Sequence, residues 1–147
     1  MEPVQIEMSI PCISEFVGIV RLAVSGIATR MNFNVEDIED IKIAVSEACT
    51  NSVQYAYEKD SSKRIFITCN MYSDKLEIIV KDEGKGFDVT KSIPHRIDEP
   101  EPDRLGLGLG ITFIKSLMDD ADIQSVIGQG TTVTMLKVAP EVKVFEK

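Results

Sequence analysis

The sequence predicts an α/β sandwich of two layers, a mostly antiparallel sheet with helices on one of its faces. Three observations carry that expectation. Residues 4–10 alternate apolar and polar with a period of two. Two long stretches, 14–30 and 34–57, repeat apolar residues at helical spacing. Two further pairs of alternating segments follow, with a third helical stretch between them. Helices laid on one side of an antiparallel sheet are the simplest layered solution for that order.

The first strand is expected from Val4, Ile6, Met8 and Ile10, set between Gln5, Glu7 and Ser9 and ended by Pro11. Ser14 is placed to cap a helix running to about Arg30, with Phe16, Val20, Ala23, Val24 and Ile27 on its stripe. Asn34 caps a second helix to about Tyr57, with Ile38, Ile41, Val45, Cys49, Ser52 and Ala56 facing the core. Arg64–Tyr72 and Leu76–Lys81 form a hairpin around Ser73-Asp74-Lys75. A long loop, Phe87–Leu105, carries Pro94, Pro100, Pro102 and a cluster of acids. A helix from about Gly108 to Met118 leads to strands Asp122–Val126 and Thr131–Val138, joined by Gly128-Gln129-Gly130. The expected organisation is one domain, residues 1–140, followed by a loosely held tail, 141–147.

The chain has 147 residues, a single domain's length, and can bury about 68–70% of its unfolded surface without a disulfide or metal. Acids outnumber bases 24 to 16, a net charge of −8, which argues against binding nucleic acid through its backbone. The one histidine, His95, excludes two-histidine metal sites and disfavours a Ser-His-Asp triad. Cys12, Cys49 and Cys69 match no zinc or redox spacing and read as buried hydrophobes in a reducing, cytoplasmic setting. No basic-then-apolar leader pattern opens the chain, and no apolar run reaches about 18 residues, so neither a signal peptide nor a membrane span is expected.

Four segments look chemical. Glu47 and Asn51 are four apart on the second helix, roughly 150° and 110° from the centre of its apolar stripe. An acid and an amide stacked there suit a base and a metal-ligand oxygen, or simply a solvated helix face. Asp82-Glu83-Gly84-Lys85-Gly86 follows a strand; it suits close approach to a flat ligand with a carboxylate accepting from an amine, or an ordinary glycine-rich turn. Gly106-Leu107-Gly108-Leu109-Gly110 leads into a helix, as an anion-binding N-terminus or a hinge. It is neither a Walker A loop nor a good dinucleotide fingerprint. Gly128-Gln129-Gly130-Thr131-Thr132 alone is a hairpin turn.

Taken in order, these four segments resemble the N, G1, G2 and final glycine-threonine boxes of the GHKL ATPase/kinase superfamily, and the resemblance spans about Val4 to Val138. Residues Ile41–Asn51 with Tyr55-Ala56-Tyr57, Phe16–Leu22, and Leu117-Met118-Asp119-Asp120 are similar to the anti-sigma serine kinases, the RsbW type most of all and the sporulation anti-sigma kinase as well. Tyr55 stands where many GHKL proteins carry a histidine, a feature not general among the anti-sigma kinases.

The resemblance implies a Bergerat-type ATP fold, a homodimer and a bound sigma factor. It also implies ATP- and Mg²⁺-dependent phosphorylation of a serine or threonine on an anti-anti-sigma protein of the STAS type. It gives Asp82 the adenine amine, with Thr131 nearby, and Gly84 and Gly86 the purine face. Gly106, Gly108 and Gly110 would wrap the phosphates, Asn51 would hold Mg²⁺, and Glu47 would act as general base. Arg104 would neutralise charge on the γ-phosphate, and Arg21 matches an arginine at the family's partner surface. Two other readings stay open: a nucleotide-dependent binding module that transfers nothing, and a GHKL ATP hydrolase. A histidine-kinase catalytic domain is disfavoured, because no helical hairpin carries a phosphoacceptor histidine.

Overall fold

The computed structural model describes residues 2–56, 62–86 and 102–140, with the backbone alone at 55–56 and 102–109. The elements run β1 (Val4–Pro11), a 3₁₀ turn (Ser14–Phe16), α1 (Val17–Arg30), α2 (Val35–Asn51), a π-helical turn (Ser52–Ala56), β2 (Arg64–Met71), β3 (Lys75–Asp82), α3 (Pro102–Leu117), β4 (Asp120–Val126) and β5 (Gly130–Val138). The strands form one sheet in the order β1-β2-β3-β5-β4, and every neighbouring pair is antiparallel.

The period-two pattern decides the core. Register sets Met8 opposite Ile67, Ile67 opposite Val80, and Val80 opposite Val133, so one row of apolar side chains crosses four strands. Ile65, Ile67, Cys69, Leu76, Ile78, Val80 and Met135 on that face are buried with Val20, Val24, Ile41, Val45 and Ile114 from the helices. The opposite face carries a polar ladder, in which the Gln5 amide donates to Asn70 Oδ1 (2.8 Å) and the Asn70 amide donates to Glu77 Oε1 (2.9 Å). The α2 helix packs against both α1 and α3.

Several boundaries differ from the sequence expectation, each for a local reason. The first strand runs through Pro11, which pairs in register with Arg64; a proline is tolerated because β1 is an edge strand. Ser14 does not cap α1, since it lies inside the 3₁₀ turn and Phe16 stands at the cap with no side-chain bond. Asn34 does cap α2, accepting from the Asp37 N–H at 2.7 Å. That helix ends as regular α at Asn51 and widens into the π turn. The third helix starts at Pro102, six residues before Gly108, because a proline suits a first helical position and its missing N–H leaves no bond unmade. Gly106 and Gly108 therefore lie within α3, not in a loop leading to it. Of the expected loop Phe87–Leu105, residues 102–105 belong to α3, while residues 87–101, with His95, and the tail 141–147 lie outside the described residues.

The three cysteines are buried thiols, and that of Cys12 donates to the Val53 carbonyl at 4.0 Å. Burial pushes the Cys49 thiol up to about 12 and Cys69 to about 11, so both stay protonated and unreactive.

Candidate nucleotide site

Asp82 is the last residue of β3, on the helix-facing side of the sheet and 3% exposed. Its Oδ1 accepts from the Gly84 N–H (3.0 Å) and the Thr131 N–H (3.2 Å). Its Oδ2 accepts from the Ser52 hydroxyl (2.8 Å). Burial pushes this carboxyl above its usual range, against the three donors that favour the charged form. A carboxylate has about four acceptor positions. Three donors therefore leave Oδ2 able to take one more.

The glycines around Asp82 are explained by the chain itself. Gly130 has φ +111, and a Cβ there would collide with the Asp82 carbonyl oxygen and stand 2.8 Å from the Glu83 Cα. Gly86 has φ +66, and a Cβ would collide with the Val126 carbonyl oxygen. Gly86 thus has a reason within the chain itself, the close packing of the 82–86 turn on the β4–β5 hairpin. The Gly128 N–H donates to the Lys85 carbonyl (2.6 Å) and ties the same two turns together. The Thr131 hydroxyl pairs with Ser125 Oγ (2.7 Å), so it is the Thr131 backbone that meets Asp82.

Glu47 and Asn51 come together with Gly110. A Cβ at Gly110 would lie 2.8 Å from Asn51 Nδ2, 2.8 Å from Glu47 Oε2 and 3.4 Å from Asn51 Oδ1. Gly110 is therefore packed on the acid and amide of α2, and any larger residue there must push one of them aside. Asn51 is 9% exposed, and its Nδ2 is buried with no hydrogen-bond partner among the described residues. Buried amides are normally satisfied, so an orphan N–H₂ donor beside Gly110 fits a phosphate oxygen, while the Asn51 amide oxygen and the Glu47 carboxylate fit a hard cation.

Sequence reasoning placed Ser52 on the apolar stripe and missed its part. Directly after Asn51, where α2 widens, its hydroxyl reaches Asp82. Neighbouring residues 51 and 52 thus join the two ends of the site, and π turns recur at such places. The available signal was a hydroxyl on a buried stripe, which must find an acceptor. Gly106, Gly108 and Arg104 have their backbone on α3; the Arg104 side chain lies outside the described residues.

Arg21 stands apart from this cluster. It is exposed on α1, and its Nε donates to Ser46 Oγ on α2 at 2.8 Å. Ile19 and Leu22 beside it are 54% and 74% exposed, and a Cβ at Gly26 would meet nothing within 4 Å. Among the described residues, no group of three or more His, Cys, Asp or Glu side chains is placed to hold a metal, and no helix is long and apolar enough to cross a membrane.

The profile of the histidine kinase-like ATPase domain family matches residues 14–137, from before α1 to the end of β5. The chain belongs to that family. Among histidine kinase-like ATPases it is 45% identical over 136 residues to the serine-protein kinase RsbW of Bacillus licheniformis, which covers 90% of this chain and 84% of the relative. It is 47% identical over 137 residues to the RsbW of Bacillus cereus (strain Q1) and 41% over 140 to that of Bacillus subtilis (strain 168), with the same coverage. A solved structure of the RsbU and RsbW domains of a Mycobacterium tuberculosis protein superposes with a TM-score of 0.68 at 18% identity. That match covers 94% of this chain and 33% of the other, and establishes the shared fold. The family's use of ATP agrees with the two-ended site built on Asp82 and on Glu47, Asn51 and Gly110.

Proposed function

We propose that this chain is an ATP-dependent protein-serine/threonine kinase that also sequesters a sigma factor, its substrate being a serine or threonine on the anti-anti-sigma antagonist. The observation that carries this reading is the Glu47–Asn51–Gly110 contact. A carboxylate and an unpartnered amide face Gly110 of α3, and the amide is one residue away from the hydroxyl that orients Asp82. The relatives named serine-protein kinase supply the reaction class.

In this reading the free acceptor position on Asp82 takes the adenine amine, and Gly84 and Gly86 hold the turn that presents it. The Thr131 backbone fixes the carboxylate against that pull. Gly106, Gly108 and Gly110 let α3 come close to the phosphates. Mg²⁺, when bound, neutralises phosphate charge; Asn51 would offer it an amide oxygen, with water and phosphate oxygens completing the shell. Glu47 takes the proton of the attacking hydroxyl. That oxygen bonds to the γ-phosphorus while the bond from phosphorus to the bridging oxygen breaks and ADP departs. Arg104, at the start of α3, meets the charge of the transferred group. Positioning and charge stabilisation supply most of the acceleration in such reactions, and a placed base adds about 10²–10⁴-fold.

Arg21, with exposed Ile19 and Leu22, forms the surface for sigma factor and antagonist. A guanidinium among apolar side chains is a common anchor of protein interfaces. The working unit is a cytoplasmic homodimer. Pull-down from lysate with ATP and again with ADP, followed by mass spectrometry for phosphoserine and phosphothreonine, tests the proposal. Nucleotide-dependent capture of a sigma factor and a newly phosphorylated partner is expected. Capture of neither overturns it.

A further inference from the structure

Lys137 is a buried cation that the nucleotide site does not use. It projects from β5 onto the helix-facing side of the sheet and is 8% exposed. Its ammonium donates to the Leu117 carbonyl at 2.6 Å, at the last residue of α3. It also lies 3.9 Å from Asp37 Oδ1 and 3.8 Å from Asp40 Oδ2, in the first turns of α2. Both contacts have the favourable sign. A cation at a helix C-terminus and acids at a helix N-terminus each complement the helix dipole. A buried lysine is costly unless paired, so this one is kept by its three oxygen neighbours.

The surrounding chain reinforces the attachment. The Asp119 N–H donates to the Leu136 carbonyl (2.9 Å), and Asp119 Oδ2 accepts from the Val138 N–H (2.6 Å). The segment Leu117-Met118-Asp119 is thus sewn to residues 136–138 of β5. Along α2, Asp40 lies seven residues before Glu47; along α3, Leu117 lies seven residues after Gly110. Each separation is about two helical turns, or roughly 10 Å. One ammonium therefore ties the C-terminus of α3 to the first turns of α2, about two turns from where the middle of α3 meets Glu47 and Asn51.

We infer that Lys137 is a positioning residue: by joining the C-terminus of α3 to the N-terminus of α2, it sets the spacing at which Gly110 meets Glu47 and Asn51. It acts on the phosphate end of the site and leaves the Asp82 end alone, because Asp82 is held by Ser52, Gly84 and Thr131. The inference rests on reading the Glu47–Asn51–Gly110 end as the phosphate end.

The test compares two affinities by calorimetry, ATP with Mg²⁺ and ADP with chelator. The proteins are the wild type, Lys137→Met, and a double variant, Asp37→Asn with Asp40→Asn. The two aspartates are partly exposed and their loss leaves Lys137 its bond to Leu117, so the double variant keeps the test alive if Lys137→Met does not fold. Affinity for ATP with Mg²⁺ should fall about fivefold to tenfold in either variant, with metal-free ADP changed by less than about twofold. Equal losses for both nucleotides, or no loss for either, overturn the proposal and leave Lys137 as a stabilising residue only. A wild type that binds neither nucleotide overturns the nucleotide reading itself, and this inference with it.

Discussion

Replacing Gly110 by alanine separates the needs of the helix from the needs of the site. Alanine favours a helix interior by about 1 kcal/mol over glycine. The added methyl, however, would stand 2.8 Å from both Asn51 Nδ2 and Glu47 Oε2, closer than carbon and polar atoms can approach. Something must shift by several tenths of an ångström. The Glu47 carboxylate ends a flexible, partly exposed side chain and can swing aside; the Asn51 amide is buried and has less freedom. Overpacking typically costs about 1–3 kcal/mol, so after the helix gain the net loss is about 0–2 kcal/mol and the melting temperature of Gly110→Ala should fall by about 8 °C at most. Function should respond far more. A displacement near 1 Å at a catalytic group can cost about 10²-fold, so phosphotransfer should fall by about that factor, with ATP affinity in Mg²⁺ down by about tenfold. Thermal melts, calorimetry and a phosphotransfer time course on one preparation give all three numbers. Transfer within twofold of wild type, with ATP affinity unchanged, would refute the reasoning that this contact shapes the site.

Three other substitutions probe the remaining parts. Asp82→Asn removes a buried carboxylate whose pKa is raised, so ionised Asp82 opposes folding at neutral pH and this cost fades as pH falls through its folded pKa. The variant should therefore melt close to wild type at pH 7 yet bind ATP at least about tenfold more weakly, with GTP unaffected; unchanged ATP affinity would leave Asp82 a turn residue. Ser52→Ala removes one donor from Asp82 Oδ2 and should weaken ATP by about three- to tenfold, the net worth of one ordinary hydrogen bond, checked by the same titration; no change would make the Ser52 bond incidental. Arg21→Ala should raise the partner Kd at least about 30-fold and leave ATP affinity alone, and calorimetry with purified partner decides whether the α1 face is the docking surface.

Much of this architecture was legible in the sequence because the relevant physics is local. Alternation over residues 4–10 and 64–82 gave strands whose inner face the register confirms, and the Asn34 cap was readable from its side chain alone. The start of α3 was not legible. Prolines and glycines are turn signals, yet Pro102 opens a helix and three glycines are carried inside it. The pairing of Glu47 and Asn51 followed from their spacing, but Gly110 reaches them only through the packing of α3 on α2, which no periodicity encodes. Gly86 looked like room for a ligand and Gly130 like a plain hairpin turn, and both also sit where the backbone of a neighbouring segment comes too close for a Cβ, a contact no local pattern encodes. Ser52 and Lys137 were hidden for one reason: each sits on the buried side of its element, and its partners are distant in the chain, Asp82 lying 30 residues from Ser52 and Leu117 20 residues from Lys137, with Asp37 and Asp40 farther still.

The central claim, that Glu47 serves transfer from ATP to a partner hydroxyl, is tested most directly by following γ-phosphate label. Purified wild type and Glu47→Gln are mixed with ATP, Mg²⁺ and the captured anti-anti-sigma partner, and label on its serine or threonine is counted over time. The account predicts steady labelling by wild type. It predicts a rate lower by about 10²–10⁴-fold for Glu47→Gln, with ATP affinity within about threefold of wild type. Wild type that binds ATP and partner but transfers no label would contradict the claim and make the chain a nucleotide-dependent binding module; Glu47→Gln labelling within threefold of wild type would remove Glu47 as the base.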